Sequence, residues 1–156
     1  MDRHPRRRTP VHLPPRETFN RPIIIFVTVC TQGRKAILAR ADVHRLLLDV
    51  WIEAGTWLVG RYVLMPDHLH LFCAPGCQDF PPLTRWVQFW KSRSSQRWPR
   101  PAEQPVWQKS FWDTQLRAGE SYAEKWSYVE LNPVRKGLVS DARSWPFAGE
   151  LNELPW

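Results

Sequence analysis

Two apolar runs that meet at a Pro-Asp step constrain this chain more than any other feature. Trp57–Met65 (WLVGRYVLM) and His68–Ala74 (HLHLFCA) each have the length and residue types of a β-strand. Met65-Pro66-Asp67-His68 reads as a tight turn with proline at its second position, so the two runs form an antiparallel hairpin. Successive side chains of a strand point to opposite faces, which sets His68 and His70 on one face and Leu69 and Leu71 on the other. Two imidazoles held side by side are the start of a metal site.

The remaining elements fall around this hairpin. Ile23–Thr31 (IIIFVTVCT) is β-branched and apolar and reads as a buried strand, followed by a turn at Gln32–Lys35. Ala41–Ala54 places Val43, Leu46, Leu47, Val50 and Trp51 at helical spacing, with Asp42 near its N-terminus. Leu83–Arg97 fits a second helix, stopped by Pro99 and Pro101, and Ser110–Gln115 a fourth strand. Ser121 and Glu124 form a capping box that opens a third helix over Ser121–Asn132, where Pro133 disfavours its continuation. The order is that of an α+β, ferredoxin-like βαββαβ antiparallel sheet with an added C-terminal helix. Residues 1–20, rich in Pro and Arg, read as a flexible basic arm; residues 21–140 make one domain; residues 141–156 form a C-terminal tail without periodicity. With 156 residues, 43% of them apolar, one core is within reach.

Several classes of protein are excluded. No run approaches the roughly 18 apolar residues that would read as a membrane span. The charged N-terminus lacks the apolar segment of a signal peptide. Three cysteines, Cys30, Cys73 and Cys77, are an odd number and suit reduced thiols in a cytoplasmic protein. The net charge of +7 points instead to a polyanionic partner. Arg3, Arg6, Arg7, Arg8 and Arg16 crowd the arm, and Arg85, Lys91, Arg93, Arg97 and Arg100 fill residues 85–100 without an acid. Trp86, Phe89, Trp90 and Trp98 are interleaved with this second cluster. Cations with aromatic rings among them suit single-stranded or looped nucleic acid. The same pattern is also that of an amphipathic helix with tryptophans in the core, and both readings can hold in part.

The third helix carries the other chemical candidates. Tyr128 and Asn132 are i and i+4, so both project from one side of a helix. They lie roughly 80–120° from the core stripe of Tyr122, Trp126 and Val129, at the border of core and solvent. A phenol there can attack an electrophile, and a carboxamide oxygen one turn on can join a metal shell with the histidines. Each residue also has a plain structural reading. The histidine pair can be structural, Tyr128 can bury its ring and expose its hydroxyl, and Asn132 can simply end a helix.

At these residues the chain carries a resemblance. RYVLMPDHLHLF (61–72) resembles the His-hydrophobic-His (HUH) segment of the single-tyrosine transposases, and SYAEKWSYVELNPVRKGLV (121–139) resembles the helix that bears their nucleophilic tyrosine followed by Asn-Pro. The subgroup it is most similar to is the REP-associated tyrosine transposases, over residues 23–139. The resemblance implies that His68 and His70 are metal ligands, with Asn132 as a third. It implies that Tyr128 attacks a DNA phosphate, giving a 5′-phosphotyrosine link and a free 3′-hydroxyl. Mg²⁺ or Mn²⁺ would be the metal and single-stranded or hairpin (REP-like) DNA the partner, with cleavage and rejoining that serve DNA transposition. A ferredoxin-like fold, a monomer in preference to a homodimer, and a place at the bacterial nucleoid are implied as well. The chain departs from many relatives at Thr114, where they carry a histidine, which opens the roles of Asp113 and Thr114. Charge adds Arg6, Arg7 and Arg8 of the arm, then Lys91, Arg93, Arg97, Arg135 and Lys136, as candidate DNA contacts.

Two readings compete with a DNA-nicking and strand-joining enzyme. One is a hairpin-binding protein that is catalytically silent. The other is a metal-dependent hydrolase that works through activated water with Tyr128 as a bystander.

Overall fold

The computed structural model describes residues 23–117 and 120–155. The elements run β1 (Ile25–Cys30), α1 (Ala41–Glu53), β2 (Trp57–Leu64), β3 (His68–Pro75), α2 (Leu83–Gln96), β4 (Trp112–Gln115), α3 (Tyr122–Val129), α4 (Asn132–Arg135) and β5 (Ala148–Glu150). One five-stranded antiparallel sheet has the order β4-β1-β3-β2-β5. Its first four strands and two helices are the expected ferredoxin-like βαββαβ unit, and the added C-terminal helix is present. The basic arm of residues 1–20, with Arg6, Arg7 and Arg8, lies outside the described residues. Among the described residues, no helix is long and apolar enough to cross a membrane.

Alternation gives the sheet two unlike faces. On one, Val27, Val29, Leu69, Leu71 and Val59 are fully buried against α1 and α2. Trp51, Trp57, Trp86 and Trp90 fill this layer, meeting one another mostly edge to face. The indole N–H groups of Trp57 and Trp86 donate to the carbonyls of Pro81 (2.9 Å) and Ala54 (2.7 Å), which keeps their burial from stranding a donor. Trp86, Trp90 and Trp98 are therefore core residues and take no part in stacking on bases; of the aromatics interleaved with the basic cluster, Phe89 alone is exposed.

The second face is covered only in part. Tyr122, Trp126 and Val129 of α3 pack with Phe72, Val63, Met65 and Leu154, the stripe expected for that helix. Gly60 makes the close approach possible, because a Cβ there would stand 2.5 Å from Leu154 Cδ1 and 2.6 Å from the Tyr122 hydroxyl. The β2–β3 register slips between Val59 and Tyr62, and in that irregularity the Arg61 N–H donates to the Tyr122 hydroxyl (2.9 Å). A glycine and a bulge in β2 thus set where α3 docks.

Two boundaries differ from the sequence expectation. The third helix ends at Val129 rather than Asn132, and Asn132 opens a further turn. Pro133 lacks the N–H that would bond to the Val129 carbonyl, so the ladder lapses, yet its fixed φ suits the start of a helical turn. Glu130 and Leu131 keep helical backbone angles between the two pieces. The tail, patternless in sequence, contributes β5, which pairs with Arg61–Val63 of β2. It is fastened by Trp145, whose indole N–H donates to the Leu64 carbonyl (2.9 Å), and by the Leu64 N–H donating to Phe147 (2.8 Å).

Candidate active site

The second face also holds the histidines, both of them largely but not fully buried. His68 pairs with Cys30 and His70 with Thr28 across the β1–β3 ladder, so these four side chains share a face with Phe26 and Phe72. The imidazole centroids are 4.9 Å apart with ring planes at 77°. His70 also stacks on Phe26 at 5.2 Å. Each ring has its Nδ1 engaged within the protein. Asp67 Oδ1 lies 2.7 Å from Nδ1 of His68, and Thr28 Oγ1 lies 2.8 Å from Nδ1 of His70. The Nε2 atoms are the ones left to meet a ligand.

Burial favours neutral rings. Desolvation lowers His68 despite the opposing effect of Asp67, and His70 is pushed down to about 3 by desolvation together with the charges of His68 and Arg135. A neutral imidazole keeps a lone pair for a metal. Desolvation alone would raise Asp67, but hydrogen bonds from His68 and from Arg34 (3.0 Å) outweigh it and hold the carboxyl ionised. Cys30 is pushed up by burial, so its thiol stays protonated beside the site. Among the described residues, no group of three or more His, Cys, Asp or Glu is placed to hold a metal. Two imidazole nitrogens are the donors at hand; the Asn132 amide oxygen accepts from Arg135 here and would have to exchange that partner to join a divalent ion that keeps part of its own water shell.

Helix α3 packs on the same sheet face and turns Tyr128 outward. Tyr128 is 68% exposed, while Tyr122 is buried with its hydroxyl on the Arg61 amide, so only Tyr128 is open to a ligand from solvent. The Arg135 guanidinium carbon sits 4.0 Å from the Tyr128 ring centroid, and its Nη2 donates to Asn132 Oδ1. The charge of Arg135 acts on His70 and that of Lys136 on His68, which puts both cations within electrostatic reach of the histidines. Arg135, which touches both Tyr128 and Asn132, is thus the residue that links them electrostatically to His70, and the charge of Lys136 reaches His68.

Other candidates lie elsewhere. Lys91 is buried, and its ammonium donates to the Gln108 carbonyl, so it braces the 106–111 segment instead of tracking DNA. Arg93 and Arg97 bind Glu53 at 2.7 and 2.9 Å on the outer surface of the α1–α2 layer, with the sheet between them and the histidines. Asp113 pairs with Val27 and is buried on the closed face, whereas Thr114 pairs with Phe26 and is exposed on the histidine face. Thr28, Arg34 and Asp67 were absent from the sequence candidates. Asp67 stands next to His68 and was legible as a neighbour, but Thr28 enters only through the cross-strand register.

A ferredoxin-like sheet with a histidine pair on one face and a tyrosine-bearing helix docked on that face has a fold that known proteins share. No protein-family model matches the chain. It is 29% identical over 128 residues to the REP-associated tyrosine transposase of Escherichia coli (strain K12), spanning 79% of this chain and 73% of that protein. It is 25% identical over 96 residues to a putative REP-associated tyrosine transposase of Haemophilus influenzae (strain ATCC 51907 / DSM 11121 / KW20 / Rd), covering 54% of each. In fold it is similar to a solved REP-associated tyrosine transposase bound to a REP hairpin, with a TM-score of 0.64 and 23% identity over 80% of this chain and 74% of that one. A putative transposase from Deinococcus radiodurans has a TM-score of 0.50 and 19% identity over 70% and 89% of the two chains. This chain resembles the REP-associated tyrosine transposases in sequence, and its fold is theirs.

Proposed function

We propose that this protein is a single-tyrosine nuclease and strand transferase that cuts and rejoins hairpin-bearing single-stranded DNA. The observation that carries the reading is a pair of neutral imidazoles on one sheet face, each with Nε2 left for a ligand, and an exposed tyrosine on the helix packed against that same face. Tyr128 Oη attacks a backbone phosphorus. The new bond is tyrosine oxygen to phosphorus; the bond from phosphorus to the 3′-oxygen breaks. The phenol loses its proton, and the departing 3′-oxygen gains one, leaving a 5′-phosphotyrosine and a free 3′-hydroxyl. The reverse attack by a 3′-hydroxyl restores the phosphodiester without an external energy source.

His68, His70 and Asn132 would hold Mg²⁺ or Mn²⁺, which supplies polarisation of the scissile phosphate and offsets charge in the transition state. Arg135 and Lys136 add fixed positive charge where the phosphate sits. The names of the relatives, one of them bound to a REP hairpin, support hairpin DNA as the partner. Because α3 packs on the sheet that carries the histidines, the histidines and the tyrosine come from one chain, which supports a monomer; a hairpin-DNA partner would place it at the bacterial nucleoid. The test is a denaturing gel of protein mixed with single-stranded hairpin-repeat DNA and Mn²⁺. A covalent adduct in wild type that is missing in Tyr128→Phe is the expected result. Tight binding with no adduct under Mg²⁺ or Mn²⁺ would instead make the protein a silent hairpin binder, and cleavage that survives Tyr128→Phe would point to activated water.

A further inference from the structure

The side chains that fix the two imidazoles are as well placed as the imidazoles themselves. The turn before His68 is already held by its main chain. Met65 N–H donates to the His68 carbonyl (2.8 Å), Leu38 N–H to Pro66 (2.9 Å), and Thr31 N–H and Oγ1 to Asp67 (3.0 and 3.1 Å). The Asp67 carboxylate is therefore not required to close the turn, and both of its oxygens are spent on side chains. Oδ1 faces His68 Nδ1 at 2.7 Å, and Oδ2 accepts from Arg34 Nε at 3.0 Å. Arg34 is the one non-glycine residue with positive φ (54°) among the described residues. It adopts that backbone in the turn after β1, with its guanidinium on Asp67 and on Cys30 Sγ (3.4 Å). An L residue is rarely kept in this region unless its surroundings hold it there. On the other imidazole, Thr28 presents its hydroxyl from the strand register directly opposite His70.

We propose that Asp67 and Thr28 are positioning residues for the metal ligands, each accepting the Nδ1 proton so that Nε2 of His68 and His70 keeps its lone pair and its aim, and that Arg34 anchors Asp67. An imidazole has two tautomers and a rotatable Cα–Cβ bond; an acceptor on Nδ1 removes both freedoms at once. The carboxylate also makes the His68 ring a stronger donor than a hydroxyl does for His70, so the two ligands are unequal. This inference rests on the metal-binding reading of the histidines.

The experiment follows Mn²⁺ binding by electron paramagnetic resonance in wild type, Asp67→Ala, Asp67→Asn, Thr28→Val and His68→Ala. Histidine ¹⁵N shifts recorded on the metal-free proteins report the tautomers. Asp67→Ala is expected to weaken Mn²⁺ by about 10–100-fold, the usual effect of losing such an outer partner. It should also move His68 from a pure Nδ1–H tautomer to a mixture. Asp67→Asn keeps an acceptor and should restore much of both, and Thr28→Val should show a smaller loss confined to His70. Wild-type binding that His68→Ala removes, with Asp67→Ala and Thr28→Val unchanged in affinity and tautomer, would overturn the proposal while leaving the proposed function standing. Absence of Mn²⁺ binding in wild type would remove the metal-binding reading, and with it this inference.

Discussion

Leu69 and Leu71 point into one face of β3 and are fully buried, while His68 and His70, one residue away each, face a surface that α3 covers only in part. The closed face has two helices and four fully buried tryptophans; the other face has a tyrosine helix and a short tail, and its two histidines keep partial exposure. The closed side supplies burial and rigidity, and through the shared backbone that rigidity fixes the histidines. The histidine side gives up some burial so that polar groups can meet a ligand. Strand alternation alone makes both jobs possible on one stretch of eight residues.

Substitutions on the two faces should therefore separate stability from chemistry. The largest effect on stability is expected at Trp90→Ala and Leu71→Ala, which open cavities in the closed layer and should cost about 3–5 and about 2–5 kcal/mol in urea denaturation. Tyr128→Phe, at an exposed site, should stay within about 0.5 kcal/mol of wild type in the same assay. A large loss there would mean that the histidine face is structural after all.

The basic residues give a second, smaller contrast. Lys91→Met should lower stability by about 1–3 kcal/mol, since the Gln108 carbonyl loses its donor, and should leave the salt dependence of DNA binding unchanged. Arg135→Gln and Lys136→Gln should each flatten that salt slope by about one unit with little change in stability. Arg93→Gln and Arg97→Gln, already paired with Glu53 behind the helix layer, should flatten it less. Fluorescence anisotropy across a salt series reads all of these.

The smallest effect concerns pH. Burial pushes Tyr122 up to about 12 and raises Tyr62 as well, whereas in the unfolded chain a phenol ionises near 10.0. A raised folded value means that stability is intact below pH 10 and falls as the pH climbs from about 10 toward 12, because the unfolded chain releases its protons first. A urea midpoint that stays level across that window would place Tyr122 in water, and α3 off the sheet.

The sequence made the hairpin, the two long helices and the histidine face legible because each rests on a local period. The ferredoxin-like order followed from those elements, and the burial of Tyr122 against the exposure of Tyr128 followed from the helical stripe. Three things had no local signature. Ala148–Glu150 is a three-residue strand held by main-chain bonds to β2, which no side-chain pattern reports. Lys91 looks like any other cation of a basic helix until its carbonyl partner, 17 residues on, is in place. Thr28 meets His70 across a separation of 42 residues, and Arg34 reaches Asp67 from a left-handed turn. The Ser121/Glu124 box was half right: Ser121 accepts from the Glu124 N–H at 3.2 Å.

The central claim is that Tyr128 acts as the nucleophile beside a metal held by the histidine pair. It is tested most directly by mapping the DNA adduct by mass spectrometry after incubation with single-stranded hairpin DNA, with Mn²⁺ and with chelator. The account predicts a nucleotide on the 121–135 peptide at Tyr128, lost on chelation and in His68→Ala/His70→Ala. An adduct at Tyr122 or Tyr62, or one at Tyr128 that forms equally well in chelator, would contradict it.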